Sequence, residues 1–117
     1  MFKVIIAGSR SFQDYSTLKT YADFKLSNIK DTIEIVSGGA KGADSLGERY
    51  AKEKGYLLKI FLADWEQYGK AAGYLRNVQM AEYADALLAF WDGKSRGTMH
   101  MIQIAYNYGL KVGIKHY

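Results

Sequence analysis

Ser37-Gly38-Gly39-Ala40-Lys41-Gly42-Ala43-Asp44 is the stretch on which the reading of this chain turns. It follows a short β-branched run, Ile33 to Val36, and leads into a segment whose apolar residues Ala43, Leu46, Tyr50 and Ala51 recur at helical spacing. The order is strand, glycine loop, helix. Three glycines within five positions let the backbone turn tightly and leave amides unscreened by Cβ atoms. The helix that follows adds free N–H groups and a partial positive charge, so the loop suits a phosphate or another anion. The spacing Gly38-Gly39-x-x-Gly42 matches neither the G-x-G-x-x-G dinucleotide fingerprint nor a Walker A loop, because no Gly-Lys-Ser/Thr closes it. A glycine loop of this kind is as often a plain turn, so other parts of the chain have to point to the same place.

Upstream, a nearly continuous apolar run from Phe2 to Ala7 ends at Gly8-Ser9-Arg10, as expected of a central parallel strand covered on both faces. Arg10 offers a fork of donors to a phosphate and Ser9 a hydroxyl. Asp14 to Asn28 is expected to form an amphipathic helix with Leu18, Tyr21, Ala22 and Ile29 inward, a packing element without chemistry.

Downstream, the helix after the glycine loop is expected to run to about Lys54, where Gly55 stops it. Gly47 inside it costs about 1 kcal/mol of helix propensity, which points to close helix-to-strand approach. Asp44 and Glu48 lie one turn apart, where carboxylates can hold ribose hydroxyls or act in acid–base chemistry, while the plainer role for Asp44 is a helix cap. Leu57 to Phe61 is a third strand. Ala63 to Gly73 is too irregular for a strand and mixes glycine, aromatic and charged residues, as loops that cover ligands do. Within it Trp65 and Tyr68 present faces on which a base can stack, or they pin the loop to the core. A helix from Tyr74 to Tyr83 carries Arg76, in reach of a phosphate, and Asn77, a reader of a base or sugar. Ala86 to Trp91 is the clearest buried strand, followed by the second glycine loop, Asp92 to Thr98. A helix from about Thr98 to Tyr108 and a strand from Val112 to Ile114 complete the pattern.

The composition sets bounds on function. At 117 residues, 49% of them hydrophobic, the chain makes one domain, residues 1–117, with one core. With no cysteine there is no disulfide, thiolate nucleophile or thiolate-bound metal, and with two histidines no metal site is expected. No apolar run reaches the roughly 18 residues of a membrane span, and the start is too short an apolar run for a signal peptide, so a cytoplasmic protein is expected. The formal charge of +4 favours anionic partners, yet the lysines are dispersed, which argues for a local anion site at least as much as for a nucleic-acid surface.

Five strands alternating with helices predict an α/β fold: a Rossmann-like, doubly wound, mostly parallel five-stranded sheet with helices on both faces. Ligands in such sheets bind beyond the carboxyl ends of the strands, where strand order reverses. The loops after strands one, two and four meet there, bringing Arg10, Lys41, Lys94 and Arg96.

Gly8-Ser9-Arg10, Ser37 to Asp44, Asp64-Trp65 with Tyr68-Gly69-Lys70, Arg76-Asn77 and Gly97-Thr98, in that order, resemble the SLOG superfamily, and its YspA-like, YpsA-related branch most closely. The resemblance spans nearly the whole chain. It implies a domain that binds nucleotides or nucleotide-derived ligands, and a homo-oligomer, dimeric or higher. The superfamily also includes the lonely-guy phosphoribohydrolases, whose motif is Pro-Gly-Gly-x-Gly-Thr-x-x-Glu. Here Met101 stands at the position of that glutamate, and a thioether neither moves a proton nor steadies an oxocarbenium-like centre.

Three functions follow. The first is a binding module that senses or sequesters a small ligand of the ADP-ribose, NAD or cyclic-nucleotide class and needs no cofactor. In it Gly8, Ser9, Arg10, Ser37, Gly38, Gly39, Ala40, Lys41, Gly42, Asp44, Trp65, Tyr68, Arg76, Asn77, Asp92, Arg96, Gly97 and Thr98 line the site. Loop amides from Gly38 to Gly42 and from Gly97 to Thr98 hold phosphate, Arg10 and Arg76 neutralise it, Asp44 holds ribose, and Trp65 or Tyr68 stacks the base. The second is a hydrolase of an N-glycosidic or phosphoribosyl bond, with Asp44 and Glu48 as catalytic candidates. The third is single-stranded DNA binding, since the DNA-processing protein of bacterial transformation shares the resemblance. The 12 acidic residues, several in the loops, weigh against it.

Overall fold

The computed structural model describes residues 1–117 and holds a single five-stranded sheet. The strands are β1 (Phe2–Gly8), β2 (Ile33–Ser37), β3 (Leu57–Ile60), β4 (Ala86–Trp91) and β5 (Lys111–His116). Their spatial order is β3-β2-β1-β4-β5, and every pairing is parallel, so the predicted "mostly parallel" sheet is parallel throughout. The helices are α1 (Tyr15–Leu26), α2 (Ala43–Lys54), the single-turn α3 (Trp65–Tyr68), α4 (Ala72–Tyr83) and α5 (Arg96–Asn107).

Alternation along β1 divides the core in two. Val4 and Ile6 join Ile33, Ile35, Leu88 and Phe90 in a cluster with Leu18 and Ala22 of α1 and Tyr50 and Ala51 of α2. Ile5 and Ala7 join Val36, Leu87 and Ala89 with Met80 of α4 and Met101, Ile102 and Ala105 of α5. Thus α1 and α2 cover one face, and α4 and α5 the other. Strands buried on both faces explain why β1 and β4 read as unbroken apolar runs. Each fully buried Ile, Leu or Phe in them contributes about 1.5–3 kcal/mol.

The ends of the elements follow local chemistry. Asp14 caps α1 by accepting from the Thr17 amide at 3.1 Å, so the helix is shorter than the predicted 14–28. Gly55, with φ of 72°, ends α2 as expected. The close approach inferred at Gly47 is present: a Cβ there would fall 2.7 Å from the Ile6 side chain. The 63–73 stretch is more ordered than an irregular loop. Asp64 caps α3 through the Gln67 amide, and a 3₁₀ turn, Gly69–Ala71, leads directly into α4 two residues before the expected start. Ser95 caps α5, which likewise begins two residues early.

Because all strands run one way, the loops after β1, β2, β3 and β4 emerge at a single edge. Strand order reverses between β1 and β4, the switch point of a doubly wound sheet. Gly8 permits the crowding there, since a Cβ on it would meet the Phe90 carbonyl oxygen at 2.2 Å and Ala43 Cβ at 2.9 Å.

Candidate functional site

At this edge lies a cavity of about 330 Å³, walled by Gly8 and Arg10 after β1, Ala40 and Asp44 from the first glycine loop, and Trp65 from α3. Arg76, Asn77 and Met80 of α4 and Ser95, Arg96, Gly97, Thr98, His100 and Met101 around the start of α5 close it. A second hollow, about 420 Å³, adjoins it and shares Arg10, Ala40, Trp65 and Arg76, adding Gly38, Gly39 and Lys41. The predicted convergence of the loops is therefore found at the switch point, with Arg10, Lys41 and Arg96 lining the two hollows and Lys94 lining neither.

The two glycine loops use their amides differently. In the first, the Gly39 amide donates to Ser37 Oγ at 3.1 Å and the Ala40 amide to Asp44 Oδ2 at 3.2 Å. Arg76 Nη1 donates to the Gly38 carbonyl at 2.8 Å. A Cβ at Gly38 would lie 2.8 Å from Asp44 Oδ2 and 3.0 Å from Arg76 Nε. The carboxylate of Asp44 thus occupies ground that a phosphate would take in an open glycine loop. For Gly39 and Ala40 this corrects the expectation that amides from Gly38 to Gly42 hold phosphate, since both are committed within the chain, while those of Lys41 and Gly42 have no partner in it. Gly42, with φ of 77°, packs against the Ser9 and Arg10 carbonyls and lines neither hollow.

The second loop closes on itself and stays open where α5 begins. Asp92 Oδ1 accepts from the Lys94 and Ser95 amides, each at 2.8 Å, which hold its carboxyl below the usual range. Ser95 Oγ accepts from the Thr98 amide and lies 3.1 Å from Thr98 Oγ1. No hydrogen bond within the chain engages the amides of Arg96 and Gly97. They form the positive end of a twelve-residue helix facing the cavity, beside Arg10 and the Arg96 side chain.

Asp44 is 4% exposed, and burial pushes its carboxyl up to about 6 against the opposing pull of the Ala40 amide and Arg76. Burial pulls the Arg76 guanidinium down, with Asp44 acting the other way. The second carboxylate is elsewhere. Glu48 accepts from the buried Ser37 hydroxyl at 2.7 Å and lines neither hollow, so Ser37 and Glu48 brace α2 against β2. Ser9 is buried behind the site, and Asp92 shapes its loop without lining it. Trp65 borders both hollows, but Tyr68, 46% exposed, borders neither, which leaves Trp65 as the aromatic face of the two.

Tyr74, Met80 and His100, none of them among the residues expected to line the site, also line the cavity. Asn77, expected to read a base or sugar, instead faces His100 Nδ1 through its amide nitrogen at 3.0 Å. Tyr74 stacks on the imidazole with centroids 3.9 Å apart. Only the packing of α4 against α5 makes this trio, so nothing in the linear spacing reveals it. No three His, Cys, Asp or Glu side chains come together in an arrangement that holds a metal.

Residues 2–68 match the sequence profile of the YspA, cpYpsA-related SLOG family, named YAcAr. The Gene 61 protein of Mycobacterium phage D29 is 37% identical over 118 residues, covering 96% of this chain and 94% of that protein. The chain belongs to the YAcAr family of SLOG proteins. Membership suggests a role in binding or processing a nucleotide-related ligand. The crystal structure of TM1055, a structural-genomics target, superposes with a TM-score of 0.68 over 96% of this chain and 72% of its own, at 21% identity. That likeness establishes the Rossmann-like fold. No helix of this YAcAr protein is long and apolar enough to cross a membrane.

Proposed function

We propose that this YAcAr protein binds a small phosphate-bearing nucleotide derivative of the ADP-ribose, NAD or cyclic-nucleotide class, for sensing or sequestration. One observation carries the proposal: the unengaged amides of Arg96 and Gly97 and the side chains of Arg10 and Arg96 line one cavity at the switch point. Phosphate takes this end, ribose hydroxyls reach Asp44, and Trp65 flanks the opening. Calorimetry with ADP-ribose, NAD, cyclic AMP and AMP tests it. A dissociation constant below about 1 mM for one of them is expected, and weaker binding of all four overturns the proposal.

The buried Asp44 carboxyl supports a second reading, hydrolysis of an N-glycosidic or phosphoribosyl bond, because a group titrating near 6 can deliver a proton at neutral pH. Met101 at the lonely-guy glutamate position opposes it. Chromatography of nucleoside monophosphates and NAD after incubation decides between them. Released base that disappears in Asp44→Asn favours hydrolysis; intact substrates favour binding alone.

A further inference from the structure

Among the buried side-chain polar atoms, three have no hydrogen-bond partner: Ser9 Oγ, Arg76 Nε and His100 Nε2. Arg76 is tethered through another nitrogen and Ser9 lies behind the site, whereas His100 is part of the cavity wall. Its ring is held on two sides, by the Asn77 amide nitrogen at 3.0 Å from Nδ1 and by the Tyr74 ring at 3.9 Å. An amide nitrogen only donates, so Nδ1 accepts and the ring proton sits on Nε2. Burial pushes the His100 pKa down, which favours the neutral ring. A buried N–H without an acceptor is costly, and a ligand acceptor removes that cost.

We propose that the α4–α5 end of the cavity selects the nucleobase, with the His100 Nε2–H donating to a ring nitrogen or carbonyl on the base edge. The proposal rests on the nucleotide reading above. The chemistry of this end separates the base from the other ligand parts. Met80 and Met101, at 1% and 2% exposure, give it apolar walls suited to a flat ring. A phosphate is drawn instead to the arginines and open amides of the α5 start. A ribose hydroxyl brings a proton that needs an acceptor, and the carboxylate lining the cavity is Asp44.

Titration of wild-type protein and His100→Ala with AMP, GMP, UMP and ribose 5-phosphate tests this, alongside nitrogen-15 NMR of the imidazole. In wild type at least one nucleotide should bind about tenfold more tightly than ribose 5-phosphate, and should shift the Nε2–H signal where ribose 5-phosphate does not. His100→Ala should erase the advantage and leave ribose 5-phosphate affinity unchanged. Asn77→Asp, which places an acceptor opposite Nδ1 and moves the proton there, should alter the ratio between the nucleotides. Equal losses for nucleotide and ribose 5-phosphate, or an Nε2 signal indifferent to every nucleotide, overturn base selection while leaving the phosphate site standing. If none of the four probes binds wild type, base selection and the nucleotide reading fall together.

Discussion

The loop after β2 has three glycines in five positions and turns two of its amides, those of Gly39 and Ala40, onto its own side chains, whereas the loop after β4 has fewer glycines and leaves the Arg96 and Gly97 amides open at the cavity. In the first, Gly38 makes room for Asp44 and Arg76, Gly42 for two carbonyls, and the Ala40 amide serves Asp44. In the second, Asp92 and Ser95 satisfy the turn, and a Cβ on Gly97 would meet nothing. Glycine density therefore reports how tightly backbone is packed. Which amides remain for an anion is set by the neighbouring carboxylates and hydroxyls.

Substitutions in the two loops should break apart accordingly. The largest effect is expected of Gly42→Ala. It must adopt φ of 77° with its Cβ 2.4 Å from the Ser9 carbonyl oxygen, and urea denaturation should show a loss of about 3 kcal/mol or more. An alanine at Gly42 that left stability untouched would mean the first loop is open after all. Asp44 gives a pH signature next. Its carboxyl titrates near 6 folded and at 3.8 otherwise, so the native state holds the proton more tightly. Stability should fall as pH rises from 4 to 6, by at most roughly 3 kcal/mol, and Asp44→Asn should flatten that segment of the curve.

In the second loop the effects move from stability to affinity. The double change of Arg10 and Arg96 to alanine should weaken binding of AMP about tenfold to a hundredfold in calorimetry, with the denaturation midpoint nearly unchanged. The smallest effect belongs to Gly97→Ala. Open space around its Cβ predicts stability equal to wild type or higher by about 0.5 kcal/mol, a result that unfolding curves resolve directly. A large destabilisation would make the two loops alike.

Much of the architecture was legible because its signals are local. The apolar runs of β1 and β4, the helical spacing after Gly42 and the αL stop at Gly55 each depend on residues a few positions apart. Element starts were less so: Ser95 and Asp64 act as caps, and a cap shows itself only once a helix is in place behind it. For the site, Arg10, Asp44, Trp65, Arg76, Arg96 and Gly97 were named from motif positions and do line the cavity. Glu48 and Tyr68 were named on the same grounds and line neither hollow, because Glu48 is drawn to the Ser37 hydroxyl and Tyr68, at the end of α3, stays out in solvent.

From its order of residues alone, this protein is a parallel α/β domain whose loops gather at one edge, since strand burial and helix period are properties of short segments. Tertiary structure alone decided which amides Asp44 consumes, that Glu48 turns to Ser37, and that Asn77, His100 and Tyr74 meet. Those outcomes depend on the spacing between elements far apart in the chain, and a hydrogen bond forms or fails over a few tenths of an ångström.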